Sequence, residues 1–408
     1  MRRFLAIFLT AALVFISAGN LMAGGGRQAD ASTIRIGVVC ALSGPSASMG
    51  RALPQGIDLA IAEINAAGGI LGRQIEVFYR DDEADPTRAR NMAEELIHRH
   101  NIQFMLGPVN STCAAAIAPL LTENRVINLL SIATSDALID ATRFPYAFRT
   151  MPPNGLQAEA MALMARDGGY NRIAIVGDTG ALGTDGLAQL DRWLNHFGVP
   201  PVARVTYTPD DPDMTPVAQA IANAQADIAL LWTLGADGAR LVRALERIGY
   251  SDRLDMLGYT GLSLPNFRDL AGPAANRVET IVHRAWTVAT PTGQLDQPFR
   301  DLYDKINSNL GLYGQGPGRR DTNPMHIAGA YDTVYIIKYA VERAGSMDPD
   351  AIRRVLQTGM GDYVSWYTTE SFKFSATDHD GFRPTDMVRY VIGNFDTING
   401  DIPVRTTR

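Results

Sequence analysis

The chain has 408 residues, of which 46% are hydrophobic and 20% are charged, a balance typical of a globular protein with a sizeable core. Its formal net charge of −6 disfavours a nucleic acid as partner, because proteins that bind nucleic acids usually present a basic face. At roughly 100–200 residues per domain, the length predicts two domains or one very large one.

The N-terminal segment has the pattern of a secretory signal peptide. Basic Arg2 and Arg3 precede an apolar run over residues 4–16, and a zone of small residues ends near Ala23. The run is too short to span a bilayer comfortably, and no Cys follows it, as a lipoprotein would require. We therefore expect residues 1–23 to be a signal peptide, residues 24–32 a flexible leader, and the mature protein to be exported and not lipidated.

Strand-like and helical stretches alternate from Thr33 onward. An apolar run at residues 34–39 precedes a helical stretch with one apolar face that ends at Gly68. This alternation predicts a parallel sheet with helices on both faces. The stretches that follow are a strand at 75–81, a helix at 86–100, a strand at 104–107, an alanine-rich helix, and a strand at 126–131.

The same pattern starts again about 140 residues later, which indicates a second lobe of similar construction. Residues 171–178 correspond to the first strand, and each of these strands is followed by a small-residue turn and an amphipathic helix. Two doubly wound lobes are therefore expected rather than one large sheet. After an apolar run at 279–286, long helices near residues 325–345 and 349–359 and a strand near 387–395 predict that the chain returns to the first lobe and finally to the second.

The motifs of phosphate transfer and of nucleophilic catalysis are missing. A P-loop needs Gly-Lys-Ser/Thr, and no lysine in the chain follows a glycine. Ser111 lacks the flanking glycines of a nucleophile elbow. The glycines between 177 and 186 recur every third residue, which does not fit a dinucleotide fingerprint. We therefore expect a binding protein without a cofactor and not an enzyme.

Metal and disulfide sites are not expected either. The 6 histidines fall in no ligand-spaced pattern, and the acidic turns at 81–86, 209–213 and 378–381 lack the spacing of a calcium loop and suit helix caps and turns. Cys40 ends a predicted buried strand and Cys113 lies at a helix start. We expect two free, buried thiols.

The stretch FMLGPVNSTCAAAI, residues 104–117, predicts a strand, a turn of small residues, and the start of a helix. At such a turn the free backbone N–H groups and the helix dipole point toward the same space, which favours an anion. Ser111 and Thr112 are placed to receive a carboxylate.

Residues 34–97, with SGP, INAAGGI-G and DDEADP, resemble the N-terminal signature of the periplasmic leucine/isoleucine/valine-binding protein family, the type I substrate-binding proteins of ABC importers. The resemblance continues to AYDTVYIIKYAVERAG and covers essentially the whole chain after the signal peptide. It implies an α/β fold of two doubly wound, Rossmann-like lobes joined by a three-crossover hinge.

The resemblance also implies where the chain divides. Lobe 1 would comprise residues 33–151 and 284–372, and lobe 2 residues 152–283 and 373–408. The crossovers would lie near residues 151–152, 283–286 and 372–375.

In lobe 1 the resemblance assigns ligand roles to two turns. Asn110, Ser111 and Thr112 match the turn in which a Ser hydroxyl and backbone N–H groups hold the ligand carboxylate. Ile132 and Thr134 match the next turn, where a backbone carbonyl and a Thr contact the ligand's amino and carboxylate groups. Ser111 and Thr134 also suit ordinary helix caps, a role that does not exclude ligand binding.

Other family positions carry over less directly. Met49 matches the residue that closes over the ligand side chain, and Leu182 stands where an aromatic residue is usual. Thr260 aligns with the acidic residue that pairs with an amino acid's ammonium. A buried ammonium without a carboxylate is costly, so either Asp185 or Asp237 replaces that residue or the ligand is not an α-amino acid.

The second crossover offers another candidate group. His283, together with Arg284 and Trp286, would face the cleft and suit a carboxylate or an aromatic ring, or these residues would simply pack the hinge. Both interpretations stay open from the sequence.

The resemblance implies a monomeric solute receptor in the periplasm that delivers its ligand to an ABC permease in the inner membrane. The expected ligand is an apolar or aromatic carboxylate or an amide-like solute, with branched-chain amino acids as the second choice. A ligand-sensing module of the same fold is the alternative function, and an exported enzyme on this scaffold is a third.

Overall fold

A computed structural model describes residues 33–408 with the exception of 210, 298, 310–323, 359, 367–371, 373, 381, 383–386, 396–401 and 407–408. The predicted signal peptide and leader therefore lie outside the described residues. Within the part of the chain that is described, no helix has both the length and the apolar character needed to cross a membrane.

The first sheet has five strands in the order β2-β1-β3-β4-β5, and every neighbouring pair is parallel. This agrees with the alternation of strands and helices in the sequence, because parallel neighbours require crossover connections. The strands are β1 Thr33–Cys40, β2 Gln74–Asp81, β3 Phe104–Leu106, β4 Ile127–Leu130 and β5 Ala147–Arg149.

The second sheet repeats that order as β7-β6-β8-β9-β10 and adds β11 at the edge. The predicted internal repeat is thus confirmed. Only β11 is antiparallel to its neighbour, a pairing that needs no crossover helix. The strands are β6 Ile173–Asp178, β7 Ala203–Tyr207, β8 Ile228–Trp232, β9 Asp255–Gly258, β10 Val278–His283 and β11 Met387–Val391.

Helices cover both sheets, so that each sheet and its helices form one lobe, as the two-lobe fold requires. Helices α2, α3, α4, α10, α11 and α12 belong to the first sheet, and α5 to α9 to the second. The helices are α1 Ala47–Gly50, α2 Ala52–Ala66, α3 Pro86–His100, α4 Ser111–Glu123, α5 Asn154–Asp167, α6 Ala181–His196, α7 Thr215–Asn223, α8 Gly235–Arg247, α9 Pro265–Ala271, α10 Phe299–Asn309, α11 Pro324–Ala344 and α12 Pro349–Gln357.

The packing of α2 against α11 is unusually close at one point. A Cβ atom at Gly56 would lie 2.1 Å from the carbonyl oxygen of Ile327. Glycine therefore allows the two backbones to touch. This contact fixes the first turn of α11 against α2.

The chain segment that leads from α12 to β11, in the second sheet, contacts the end of β5. The fully buried Arg149 guanidinium donates to both carboxylate oxygens of Asp380, at 2.7 and 2.8 Å. Such a two-pronged pair is geometrically specific. Residues near 380 thus touch the first lobe, although the predicted division assigns them to the second. The division and the crossover positions stay predictions, and residue 373 of the third crossover lies outside the described residues.

Cys40 and Cys113 are both buried and not joined by a disulfide. Burial is also the main cause that raises the pKa of each thiol above its ordinary value, with the nearby Asp82 carboxylate adding to it.

Candidate ligand-binding site

The carboxyl ends of the strands in both sheets face a common cleft, and one part of the cleft is a cavity of about 30 Å³, here called the inner cavity. A cavity needs roughly 10–15 Å³ to hold one water molecule, so this one has room for about two and not for a larger solute. The inner cavity is lined by Met49, Val109, Asn110, Ser111, Ile132, Ala133, Thr134, Met151, Leu182, Leu234, Tyr259, Thr260, Gly261 and His326.

A second cavity of about 310 Å³, here called the outer cavity, lies next to it. The two cavities share five lining residues: Met49, Asn110, Ser111, Leu182 and Leu234. They therefore form one continuous recess with a narrow inner end and a wide outer end.

Most of the predicted site residues line this recess. Met49, Asn110, Ser111 and Leu182 line both cavities. Ile132, Thr134 and Thr260 line the inner cavity alone, and Thr112 and Asp237 the outer cavity alone.

Helix α4 begins at the inner cavity, and its first residue presents a hydroxyl there. Ser111 is 2% exposed, and its hydroxyl oxygen accepts a hydrogen bond from the Ser135 N–H at 3.3 Å. The Ser111 O–H remains available as a donor. Asn110 donates to the Ser46 hydroxyl at 2.9 Å, and its own Oδ1 has no partner among the described residues. A helix N-terminus with a free hydroxyl donor suits a carboxylate.

Thr112 contacts the opposite lobe. Its hydroxyl accepts a hydrogen bond from the backbone N–H of Ala181, the first residue of α6, at 3.2 Å. The structure uses its oxygen to join the two lobes across the cleft, and the predicted contact of Thr112 with a ligand stays a prediction.

Neither proposed substitute for the missing acidic residue lies in the inner cavity. Asp185 accepts hydrogen bonds from the Asp136 N–H and the Asn154 side-chain amide, both at 2.8 Å. Asp237 lines the outer cavity and forms an ion pair with Arg240. Asp185 therefore fastens the connection between the lobes, and Asp237 is already paired.

Thr260 also has a partner of its own. Its hydroxyl and its N–H both contact Oε1 of the buried Gln157, and the Gln157 amide donates to the Pro152 carbonyl at 2.7 Å. The position aligned with the family's acidic residue is thus neutral and hydrogen-bonded.

His283 lines neither cavity. Its Nδ1 accepts a hydrogen bond from the Ala285 N–H at 3.3 Å, and its ring lies against Phe382. Trp286 packs edge-on against Phe299 with ring centroids 4.6 Å apart. This placement corresponds to hinge packing and does not match the prediction of a ligand contact at His283.

Two aromatic side chains of the inner cavity were not predicted. Tyr259 lies next to Thr260 and stacks on Trp232, with ring centroids 4.7 Å apart. His326 is contributed by α11, about two hundred residues from the other lobe 1 turns, and belongs to no recognisable motif. The start of α11 is otherwise mostly apolar, and no signal in the sequence points to His326.

Apolar and charged side chains line different parts of the recess. Its inner lining contains no charged side chain at neutral pH among the described residues, since burial lowers the pKa of His326 to about 4. The outer lining contains the Asp178 and Asp237 carboxylates. Burial raises the pKa of Asp178, although the backbone N–H groups of Gly180 and Gly183 oppose this effect.

Metal binding finds no support in the described ranges, where no three His, Cys, Asp or Glu side chains converge to hold an ion. The first acidic turn instead caps a helix: the Asp85 carboxylate accepts a hydrogen bond from the Arg88 N–H at the start of α3, at 2.7 Å.

Comparison with known proteins gives a consistent result. The family model described as periplasmic binding protein matches residues 33–394. The Leu/Ile/Val-binding protein homolog 3 of Brucella melitensis is 29% identical, over 80% of this chain and 83% of that protein.

Solved structures agree in fold. A type 1 periplasmic binding protein from Bordetella pertussis Tohama I matches with a TM-score of 0.80 and 22% identity, over 92% of this chain and 99% of that one. An ABC-transporter solute binding protein from Rhodopseudomonas palustris HaA2, solved with p-hydroxybenzoic acid, matches with a TM-score of 0.74 and 22% identity, over 92% and 96% of the two chains.

Proposed function

Since the chain belongs to the periplasmic binding protein family, we propose that it captures a small carboxylic acid with an apolar or aromatic body and hands it to an ABC permease in the inner membrane. Proteins of this family bind solutes and are not enzymes. The choice of ligand rests on the inner cavity, which has a helix N-terminus at one end and neutral, mostly apolar walls around it.

The carboxylate would lie at the start of α4. The Ser111 hydroxyl would donate to it, the backbone N–H groups of the first turn would point toward it, and the dipole of the helix would favour its charge. Thr134, from the turn after β4, would contact the same group. No lysine or arginine lines the described part of either cavity, so these dipoles would be the main support for the anion.

The rest of the inner lining favours an apolar body. Met49, Ile132, Met151, Leu182 and Leu234 supply aliphatic surface, and burying apolar area yields roughly 25 cal/mol per Å². Tyr259 offers the face or edge of a ring, which suits an aromatic ligand.

A branched-chain amino acid fits this cavity less well. Its ammonium would need a carboxylate to offset the loss of hydration, and the inner lining offers Thr260 instead. The Brucella relative is named for leucine, isoleucine and valine, and the Rhodopseudomonas neighbour was solved with an aromatic acid. Both ligand classes therefore belong in the test.

Transport would use closure of the lobes. A solute would enter while the lobes are apart, and closure over it, with the outer cavity supplying the room that the inner cavity lacks, would bring Thr112 to Ala181. The closed monomer would then dock on its permease at the periplasmic face of the membrane.

Thermal-shift screening of the purified mature chain tests this proposal, because a ligand that binds only the folded protein raises the melting temperature. We expect stabilisation by benzoate and by branched aliphatic acids such as 4-methylpentanoate. Stabilisation by leucine, isoleucine or valine alone would contradict the proposed ligand class.

A further inference from the structure

His326 is the one buried histidine without a partner among the described residues. The chain buries three histidines, His283, His326 and His379. His283 accepts a hydrogen bond from a backbone N–H, and both ring nitrogens of His379 lie within 3.0 Å of a partner. His326 is only 3% exposed, and its Nδ1 has no partner.

This unpartnered ring lines the inner cavity. It lies in the first turn of α11, which the close contact at Gly56 holds in place. An unsatisfied buried polar group is costly, and native proteins rarely leave one without a water, a ligand or a functional reason. The lining of the inner cavity thus includes a polar ring that makes no hydrogen bond among the described residues.

The chemistry of the ring limits what that molecule offers. Burial lowers the pKa of His326 to about 4, so at neutral pH the ring carries one N–H donor and one lone pair. A hydroxyl can both donate and accept, and it fits either tautomer. An ammonium gains little from a neutral ring, and a second carboxylate would need a charged partner that this cavity lacks.

Two other polar side chains of the inner cavity already have roles: Ser111 serves the carboxylate in the proposed function, and the Thr260 hydroxyl is bound to Gln157. Asn110 Oδ1 also lacks a partner among the described residues, but Asn110 directly precedes Ser111 at the acid end of the site. His326 is the unpartnered polar side chain that a different element, α11, brings to this lining. A ligand with an acid group at one end and a neutral polar group elsewhere would hydrogen-bond with both Ser111 and His326.

We propose that His326 is a specificity-determining residue that hydrogen-bonds a hydroxyl on the ligand, and that the solute is a hydroxylated apolar or aromatic carboxylic acid. This inference rests on the proposed function, because it assumes that the acid end lies at Ser111. It adds a second point of contact with the ligand and restricts the proposed solutes to hydroxylated carboxylic acids.

The test is calorimetric titration of the wild-type chain and His326→Leu with benzoate and its three monohydroxy isomers. We expect at least one isomer to bind wild type about 3- to 10-fold more tightly than benzoate, the range of one neutral hydrogen bond. In His326→Leu the ratio of the affinity for that isomer to the affinity for benzoate should fall to about one, whatever the affinity for benzoate itself becomes. His326→Gln keeps a donor and an acceptor and should restore part of the preference.

The outcomes separate the two proposals. If benzoate, the three hydroxybenzoates and 4-methylpentanoate all fail to bind wild type, the proposed function is wrong. If they bind but no isomer is preferred, or if His326→Leu leaves the preference intact, the role of His326 is wrong and the proposed function stands. Should His326→Leu fail to fold, His326→Phe replaces it, since Phe keeps a ring and has no polar atom: a preference as large as in wild type would then contradict the role of His326.

Discussion

The backbone N–H of Ala181 donates a hydrogen bond to the Thr112 hydroxyl at 3.2 Å and so connects the N-terminal ends of α6 and α4 across the cleft. Each helix belongs to a different sheet. If the lobes part to admit a ligand, as proposed, the bond breaks, and it would then add to the stability of the closed form alone.

Replacing Thr112 with valine removes the acceptor and keeps the shape of the side chain. We expect the dissociation constant for benzoate to rise about 2- to 10-fold, because a neutral hydrogen bond contributes about 0.5–1.5 kcal/mol and closure is part of binding. Calorimetric titration measures the change. Thr122→Val, near the other end of α4, is the matched control, and equal affinities in the two variants would contradict this role.

Asp185 offers a test of the connection between the lobes. Its carboxylate accepts two hydrogen bonds, from the Asp136 N–H and from the buried Asn154 amide. Asp185→Ala should lower the free energy of unfolding by about 1–3 kcal/mol, because a buried donor loses its acceptor. Urea denaturation gives the value.

The control for that variant is Asp191→Ala on the same helix. Asp191 pairs with Arg204 at the surface, at 3.0 Å, and exposed pairs contribute only about 0–1 kcal/mol. If Asp185→Ala lowers the free energy of unfolding by no more than Asp191→Ala does, water has replaced the two hydrogen bonds of Asp185.

His326 predicts a specific pH dependence of stability. Burial lowers its pKa from 6.5 to about 4, so between these values the unfolded chain binds more protons than the folded one. The free energy of unfolding should therefore fall as pH decreases from about 6.5 to about 4. Urea denaturation without ligand at several pH values should show a smaller fall in His326→Leu than in wild type, and parallel curves would contradict the burial of a neutral ring.

The two thiols should behave as buried and free. Cys40 and Cys113 are not bonded to each other, and burial raises the pKa of both, which keeps the reactive thiolate scarce. A disulfide-exchange reagent at pH 8 should react slowly with the native chain and should detect both thiols in denaturant without reductant. Detection of none under those conditions would indicate a disulfide.

Much of the fold follows from local patterns in the sequence. The glycine-terminated helices and the apolar strands predicted β1 to β4 and their helices, and the repeat predicted that the second sheet copies the first. The antiparallel pairing of β11 did not follow, because periodicity reveals a strand but not its direction.

The site was predictable where a motif surrounds it. Asn110, Ser111, Ile132 and Thr134 lie in turns that directly follow strands of a parallel sheet, where ligands bind in such folds. His326 comes from a helix that returns to the first lobe late in the chain, and only the packing of α11 on α2 brings it to the cavity.

The roles of Thr112 and His283 depend on how the lobes meet. Thr112 follows Ser111 in the sequence and also has a hydroxyl, yet its hydroxyl oxygen accepts a hydrogen bond from the opposite lobe. His283 ends a strand, as ligand residues often do, but turns into the packing around Phe382. Sequence patterns within one lobe do not contain this information.

The central claim is that a carboxylate binds at the start of α4, and calorimetric titration of benzoate into the double variant Ser111→Ala, Thr134→Ala tests it most directly. A hydrogen bond to a charged group contributes about 1.5–3 kcal/mol, so we expect affinity to fall at least about tenfold. The free double variant should stay folded but melt at a somewhat lower temperature, because the buried Ser135 N–H loses its acceptor. An unchanged affinity for benzoate in the folded double variant would contradict the claim.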